Sequence, residues 1–378
     1  MFKVNDVIKA TGGKIIKDMS GITFSGVSLD SRTINPGELF IAVRGRWLDG
    51  HDFAENAFKK GAKGILVENN SKIIPRINKR QILIIGVNDT IKALGDLAHY
   101  HRKRFKIPVI AVTGSNGKTT TKELIANILE VRYKTLKNPG NLNNHFGLPL
   151  SLLKLNADHN ACVLEIGMNQ KGEIANLTRI LEPDIGIITN IGPVHLEFFR
   201  DIREVAFEKA ALFKGLTPFK TIIVNKDDIE IEKHSKFLPN PRVTFGFSEE
   251  AQVKGRNIRE YKSGTISFYL ERGGERQRVG LNLMGKHNVY NALAAAACVT
   301  PLDFTLKEIE KGLKKIRPIE KRMEPIRIKN SVTLINDSYN ANPASTMNSL
   351  QTLAKLKKER AIAVLGDMLE LGKYSKEA

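Results

Sequence analysis

Short apolar runs alternate with longer amphipathic stretches along most of the chain, a spacing that predicts a mixed α/β protein. Up to about residue 87, the runs 21–29, 39–43, 64–68 and 82–87 read as strands, and 53–60 reads as a helix among them. Residues 89–105 carry Ile91, Leu94, Leu97 and Ala98 at helical spacing and are expected to form a connecting helix. From about 106 to 317 the strand-like runs are 107–112, 161–166, 185–190 and 221–225, separated by helical patterns such as 204–213. Strands that alternate with helices imply βαβ units and a mostly parallel sheet. Residues 242–283 alternate and are rich in turns, so a β appendage is expected there, followed by an Ala-rich helix over 288–299. Near Ile316 the pattern restarts, with a strand over 332–335, a helix over 345–357 and a strand over 361–365. The expected division is a small mixed α/β domain (1–87), a central parallel-sheet domain (88–317) and the start of a third α/β domain (318–378), incomplete at Ala378.

Composition changes this picture little. At 42% hydrophobic and 26% charged, the chain is ordinary for a globular protein. No apolar run approaches the ~18 residues of a membrane span, and the first residues lack the apolar core of a signal peptide. Cys162 and Cys298 have apolar neighbours and read as buried free thiols, not a disulfide framework. A cytoplasmic protein is expected. The net charge of +19 comes from scattered Lys and Arg, and no basic patch interleaved with aromatics stands out. No nucleic-acid partner is therefore expected, and the charge suits a solvated surface with a preference for polyanionic small molecules.

The chemistry concentrates at Val112-Thr-Gly-Ser-Asn-Gly-Lys-Thr-Thr-Thr121, between the run 107–112 and a predicted helix over 122–132. A strand, a Gly-rich turn and a helix opening on Lys-Thr make a phosphate cradle. Glycines allow backbone N–H groups to approach phosphate oxygens, Lys118 can reach the β- and γ-phosphates, and the Thr119 hydroxyl can take Mg²⁺. The usual P-loop glycine would fall at Val112, so this loop is a shorter variant. Three further residues lie near predicted strand ends or on a helix. Glu165 ends a strand where a Mg²⁺ ligand belongs, though a carboxylate can also simply cap a loop. His195 follows Gly192-Pro193 past the next strand, and is either structural or turned toward the same edge. Lys209 sits among apolar neighbours on a helix; it either snorkels to the surface or is buried with a neutral amine available for chemistry. Asn288 and Asn291 stand three apart at a helix start, where they could cap it or present an amide to a nucleobase.

Several motifs together resemble the Mur ligases, the ATP-dependent amide ligases of peptidoglycan precursor synthesis. They are the loop 113–120, Gly285-Lys-His-Asn-Val-Tyr-Asn-Ala292, Leu29-Asp-Ser-Arg-Thr33, Pro36-Gly-Glu-Leu-Phe-Ile-Ala42 and Gly50-His-Asp-Phe53. Within the family, Asn138-Pro-Gly-Asn-Leu-Asn-Asn144, Asp337-Ser-Tyr-Asn-Ala-Asn-Pro-Ala-Ser345 and Gly366-Asp-Met-Leu-Glu-Leu-Gly372 resemble the branch that adds D-alanyl-D-alanine to UDP-N-acetylmuramoyl-tripeptide. The Asp-Asn-Pro-Arg motif of the diaminopimelate- or lysine-adding branch is absent from the sequence.

The resemblance implies a three-domain fold with a Rossmann-like third domain. It implies that Gly114, Ser115, Asn116, Gly117, Lys118, Thr119 and Thr120 hold the ATP phosphates. Asn291 would meet the adenine, and Arg322 and Asp337 would reach phosphate and ribose. It further implies two Mg²⁺ ions, one on Thr119 and Glu165 and one on His195 and Lys209, the lysine carrying CO₂ as a carbamate. Ser31 and Arg32 would contact the uridine end of the substrate, and Asn143 and Asn144 would line its path. His145 departs from the acidic residue expected at its position. A monomer is expected. Two other readings stay open: a ligase-like protein that binds nucleotide or a partner without turnover, and a folylpolyglutamate synthase-like ligase.

Overall fold

Two compact units account for residues 2–45, 47–328, 332–357, 360–372 and 375, which the computed structural model describes. The first comprises residues 1–106, 142–157 and 179–181, and the second 107–141, 158–178 and 182–378.

In the first unit, strands β2 (Lys14–Lys17), β4 (Val27–Ser28), β5 (Leu39–Ile41), β6 (Gly64–Glu68) and β7 (Leu83–Val87) form one sheet in the order β2-β7-β6-β5-β4. Only β2 runs antiparallel to its neighbour. A separate pair, β1 (Phe2–Lys3) with β3 (Thr23–Phe24), flanks α1 (Val4–Thr11). Strands β5 and β7 are buried throughout and β6 nearly so, as expected of strands covered on both faces. One apolar cluster joins Leu39, Leu66 and Ile85 to Leu94 and Leu97 of α4 (Thr90–Arg102), with α6 (Gly147–Leu152) contributing Leu150. The alternate residues Phe40, Ile65, Val67 and Ile84 pack instead with Ala54 and Ala57 of α2 (Ala54–Lys59) and Ile77 of α3 (Ile74–Ile77). The two-residue side-chain period of a strand thus builds two cores from one sheet. Asp89 starts α4 by accepting bonds from the Ile91 and Lys92 amides.

The second unit holds a nine-stranded sheet. Its strands are β8 (Val109–Thr113), β9 (Thr135–Lys137), β10 (Ala161–Glu165), β11 (Ile185–Ile188), β12 (Thr221–Asn225), β13 (Arg242–Gly246), β14 (Val253–Glu260), β15 (Ile266–Arg272) and β16 (Glu275–Leu281). The order is β16-β15-β14-β13-β12-β11-β8-β10-β9. From β9 to β14 neighbouring strands are parallel; β15 and β16 complete an antiparallel meander, the expected appendage. One face is covered by α5 (Lys118–Leu129), α10 (His287–Val299) and α11 (Leu306–Leu313), and the other carries α8 (Ile202–Lys214) against β11 and α9 (Ile229–Ser235) against β12. Helix α10 contributes a run of buried alanines to this core, small enough to lie close against α5. Helix α7 (Glu173–Leu181) lies between β10 and β11 in the chain.

Beyond α11, strands β17 (Glu324–Arg327) and β18 (Thr333–Asn336) pair antiparallel, followed by α12 (Pro343–Leu356). The expected strand over 361–365 is not formed. Those residues are irregular, with Ile362 at 65% and Val364 at 92% exposure. A strand needs a neighbour to satisfy its ladder, and 361–365 pairs with no described residues.

Candidate active site

The register of the parallel strands assembles the site. Val112 lies beside Glu165 on one side and Ile187 on the other, so the loops after β8, β10 and β11 leave the sheet at one edge. Carboxyl edges of parallel sheets are where such folds bind ligands.

The loop after β8 is shaped by its glycines. Gly114 has φ +148° and Gly117 φ +78°, and a Cβ would stand 1.9 Å from Thr189 Oγ1 at the first and 2.2 Å from Asn291 Oδ1 at the second. A side chain at either position would displace a wall of the site. Helices α8 and α9 begin with Asp201 and Asp228 bonding the first amides, whereas α5 begins at Gly117 with no side-chain cap. An N-terminus without a capping carboxylate leaves partial positive charge for an anion.

Two asparagines outside the predicted site fix this geometry. Asn190 accepts from the Ser115 amide through its carbonyl and from the Asn116 amide through its side chain, at 2.9 Å each, and returns a 3.0 Å bond from Nδ2 to the Asn116 carbonyl. Asn138 is fully buried and holds Glu165 by a reciprocal pair: its Oδ1 accepts from the Glu165 amide at 2.9 Å and its Nδ2 donates to the Glu165 carbonyl at 3.1 Å. A short polar residue just past a strand end was the only trace of Asn190 in the sequence.

The Lys118 ammonium donates to the carbonyls of Gly114 and Ser115 at 2.9 and 3.1 Å. Thr119 Oγ1 donates to Glu165 Oε2 at 2.7 Å and accepts from Arg322 Nη2 at 3.0 Å, so this arginine lies against the loop. Arg322 also lies 4.0 Å over the Tyr339 ring. Asn342 Nδ2 donates to Asn116 Oδ1 at 2.6 Å. Asp337 is engaged within its own segment, by the Met323 amide and the Ser349 hydroxyl. Asn291 is buried, accepts from Thr121 Oγ1 at 3.3 Å and donates to Asn288 Oδ1 at 2.9 Å; Asn288 in turn donates to the Met284 carbonyl.

Lys209 is 1% exposed on α8, which decides between snorkelling and burial. Burial first, and then the Lys118 charge, push its pKa well below that of an ordinary lysine, while Glu165 opposes them. Lys118 is lowered by burial, with Glu165 opposing and Arg322 adding to the depression. His195 is lowered by burial and by Lys209 and Lys118, against Glu370. Glu165 is 2% exposed at the end of β10. Lys118, Glu165, Lys209 and His195 therefore form one electrostatically linked group. His195 has φ +56°, and its Nδ1 lies 2.5 Å from Glu370 Oε2 in the Gly366–Gly372 motif. Glu370 is a contact the sequence pattern did not reveal.

The remaining predicted residues lie in the first unit. Ser31 is buried. Arg32 is exposed and forks onto Asp30, with Nε to Oδ1 at 3.0 Å and Nη2 to Oδ2 at 2.8 Å, which holds the Asp30 pKa near 2. Asn144 Oδ1 accepts from the Phe146 and Gly147 amides at the start of α6. Asn143 adjoins it in the loop before α6.

A glycine-shaped loop of the phosphate-cradle pattern at the carboxyl edge of a parallel sheet, with a buried carboxylate and a buried lysine of lowered pKa beside it, fits a nucleotide-dependent α/β enzyme. The chain belongs to the Mur ligase family: it matches the Mur ligase middle domain over residues 112–299, the "Mur ligase family, catalytic domain" over 23–102 and the "Mur ligase, glutamate ligase domain" over 321–378. It is 36% identical over 358 residues to the UDP-N-acetylmuramoyl-tripeptide–D-alanyl-D-alanine ligase of Escherichia coli, covering 94% of this chain and 77% of that protein. The crystal structure of MurF from Acinetobacter baumannii superposes with a TM-score of 0.92 at 33% identity, over 100% of this chain and 81% of that one. MurF from Thermotoga maritima in complex with ADP gives 0.84 at 29% identity, over 95% and 81%. No described helix is long and apolar enough to cross a membrane.

Proposed function

We propose that the chain is the ATP-dependent ligase that joins D-alanyl-D-alanine to UDP-N-acetylmuramoyl-tripeptide in the cytoplasm, through an acyl phosphate. The observation that carries this reading is the group Lys118, Thr119, Glu165 and Lys209 at the mouth of an uncapped helix, in a chain whose relatives bear that activity. In this reading the tripeptide carboxylate attacks the γ-phosphorus of ATP and ADP leaves. The dipeptide amine then attacks the acyl carbon, a tetrahedral intermediate collapses, and phosphate departs as the amide forms.

Most of the catalysis is positioning and charge neutralisation. Lys118 moves from loop carbonyls to phosphate oxygens, and the α5 amides add their partial charge. Arg322 bridges the loop and the third domain and brings a second cation to the phosphates. Asn291, buried against Gly117, supplies an amide toward the base, and Asp337 a carboxylate toward the ribose. Ser31 and Arg32 would hold the uridine end of the substrate, with Asn143 and Asn144 along its path.

The site fits Mg²⁺ in its donor chemistry. Glu165 and Thr119 already bring two hard oxygen atoms together at 2.7 Å. Bound there, the ion would neutralise phosphate charge. A second would sit on His195 and Lys209. Among the described residues no three His, Cys, Asp or Glu side chains gather around a metal position. A further anionic donor at Lys209 would remedy that: its unprotonated amine would add to CO₂, a C–N bond forming as one C=O π bond becomes C–O⁻ and one amine proton leaves to solvent, which would give a carbamate. Burial and the Lys118 charge favour the neutral amine this step needs.

The test is phosphate release from ATP with Mg²⁺ and the UDP-tripeptide, with and without D-alanyl-D-alanine. Release that requires both substrates, with UDP-pentapeptide appearing, is expected. ATP binding without release would make the chain a silent nucleotide binder, and turnover with folate in place of the UDP-tripeptide would favour the folylpolyglutamate synthase-like reading.

A further inference from the structure

At the opposite, amino-terminal edge of the parallel sheet, two loops carry the most exposed phenylalanines of the protein. Phe219, before β12, is 90% exposed, and Phe237, before β13, is 88% exposed. Strands β12 and β13 are parallel neighbours, so both loops lie on one edge. The buried Asn240 side chain ties them together, its Nδ2 donating to the carbonyls of Thr217 at 2.7 Å and Lys220 at 3.0 Å. Pro218 precedes one ring, and Pro239 and Pro241 follow the other, which stiffens both tips. Exposure here is held in place by the fold.

The charge on the two tip segments themselves is of one sign. Residues 214–220 and 233–242 contain Lys214, Lys220, Lys233, Lys236 and Arg242 and no Asp or Glu. Lys220 is neutralised by Asp184 and Lys233 by Glu230. Arg242 donates to the carbonyls of Ser235 and Lys236, which are neutral acceptors. Lys236 lies 5.4 Å over the Phe237 ring, and Lys214 lies 4.0 Å over the half-exposed ring of Phe207. The two Lys/Phe pairs at 219–220 and 236–237 are 17 positions apart in sequence, which is why no basic aromatic patch was visible along the chain.

We propose that this edge docks the protein on an anionic lipid bilayer, with Phe219 and Phe237 entering the interface and Lys214, Lys236 and Arg242 lying among the headgroups. The chemistry matches what holds peripheral proteins on membranes: apolar rings that reach the acyl boundary, and cations attracted by the surface potential. A protein interface wants a continuous complementary face of some 800 Å² per partner, whereas two stiff projecting tips among lysines suit a deformable anionic layer. Because the nucleotide loop leaves the other edge of the sheet, docking leaves the catalytic side open.

The experiment is co-sedimentation of the whole protein with phosphatidylglycerol/phosphatidylcholine vesicles and with pure phosphatidylcholine vesicles. Binding is expected only to the anionic vesicles. It should fall about tenfold in the Phe219→Ser/Phe237→Ser double variant and by a similar factor in Lys214→Ser/Lys236→Ser, with ATP turnover unchanged in both. In a Trp47→Phe background, which removes the chain's one tryptophan, Phe219→Trp should shift its emission to shorter wavelength on anionic vesicles. The proposal is overturned if the wild type stays in the supernatant, if the double phenylalanine variant binds as the wild type does through diffuse positive charge, or if the phenylalanines instead govern self-association in the absence of vesicles.

Discussion

Arg32 in the first unit and Lys118 in the second are both cations proposed to meet the substrates, and their surroundings differ sharply. Arg32 stands in solvent with its guanidinium forked onto Asp30 two residues away. Lys118 rests on two carbonyls of its own loop and is linked electrostatically to Glu165 and Arg322, with the buried Lys209 nearby. An exposed pair contributes little to stability and is screened by salt. A crowded, desolvated cation acts strongly on charge that develops beside it. The difference separates holding a substrate from stabilising a transition state, and substitutions should respect it.

The largest effect is expected from Lys118→Ala, with turnover down about 10²- to 10³-fold and thermal stability little changed. Steady-state phosphate release and a melting curve check both, and wild-type-like turnover would remove the loop from the mechanism. Lys209→Ala should lose a comparable factor and recover part of it with millimolar formate or acetate, since a small carboxylate can stand in for the proposed carbamate. If no carboxylate restores activity while Mg²⁺ affinity stays as in the wild type, Lys209 acts as an amine. Arg32→Ala should raise KM for the UDP-tripeptide about tenfold and leave kcat alone, the signature of binding shared by ground and transition states. A fall in kcat would erase the distinction between the two cations.

The smallest effect concerns the first unit alone. His101 is buried between the rings of Phe2 and Phe105, its Nε2 2.9 Å from the Leu155 carbonyl and its Nδ1 without a hydrogen bond. Burial first, then neighbouring positive charge, lower its pKa to about 4, against 6.5 for an ordinary histidine. The unfolded chain takes up a proton near 6.5 that the folded chain refuses until about 4. Stability is therefore complete above the higher value and declines as pH falls through this window, by roughly 2–3 kcal/mol. His101→Gln keeps a donor for Leu155 without the titration, and its melting temperature should vary less between pH 7 and 4.5 than that of the wild type.

Much of this was readable along the chain because the elements that carry the site are locally encoded. The strand at Thr221–Asn225 and the helix ending at Val299 follow directly from runs of apolar residues. Gly114, Gly117 and Lys118 are legible because the backbone shape demands those residue types. Asn190, Asn138 and Glu370 were not, because each acts through a partner more than 25 positions away and any polar loop residue looks alike beforehand. The strand expected over 361–365 shows the converse: its apolar run is real, but a strand is a property of a pair, and no described neighbour supplies the other half.

The bonds Arg322–Thr119 and Asn342–Asn116 span 203 and 226 positions of chain. A ribosome adding about 5–20 residues per second leaves the nascent phosphate loop without them for roughly 10–45 s after it has emerged. During that time a helix can form behind Gly117, yet Thr119 has no arginine and Asn116 no clasp. Synthesis itself thus acts as a timer: a growing chain carries the loop long before it carries the third-domain contacts that brace it, and the proposed nucleotide site is finished late on the way off the ribosome.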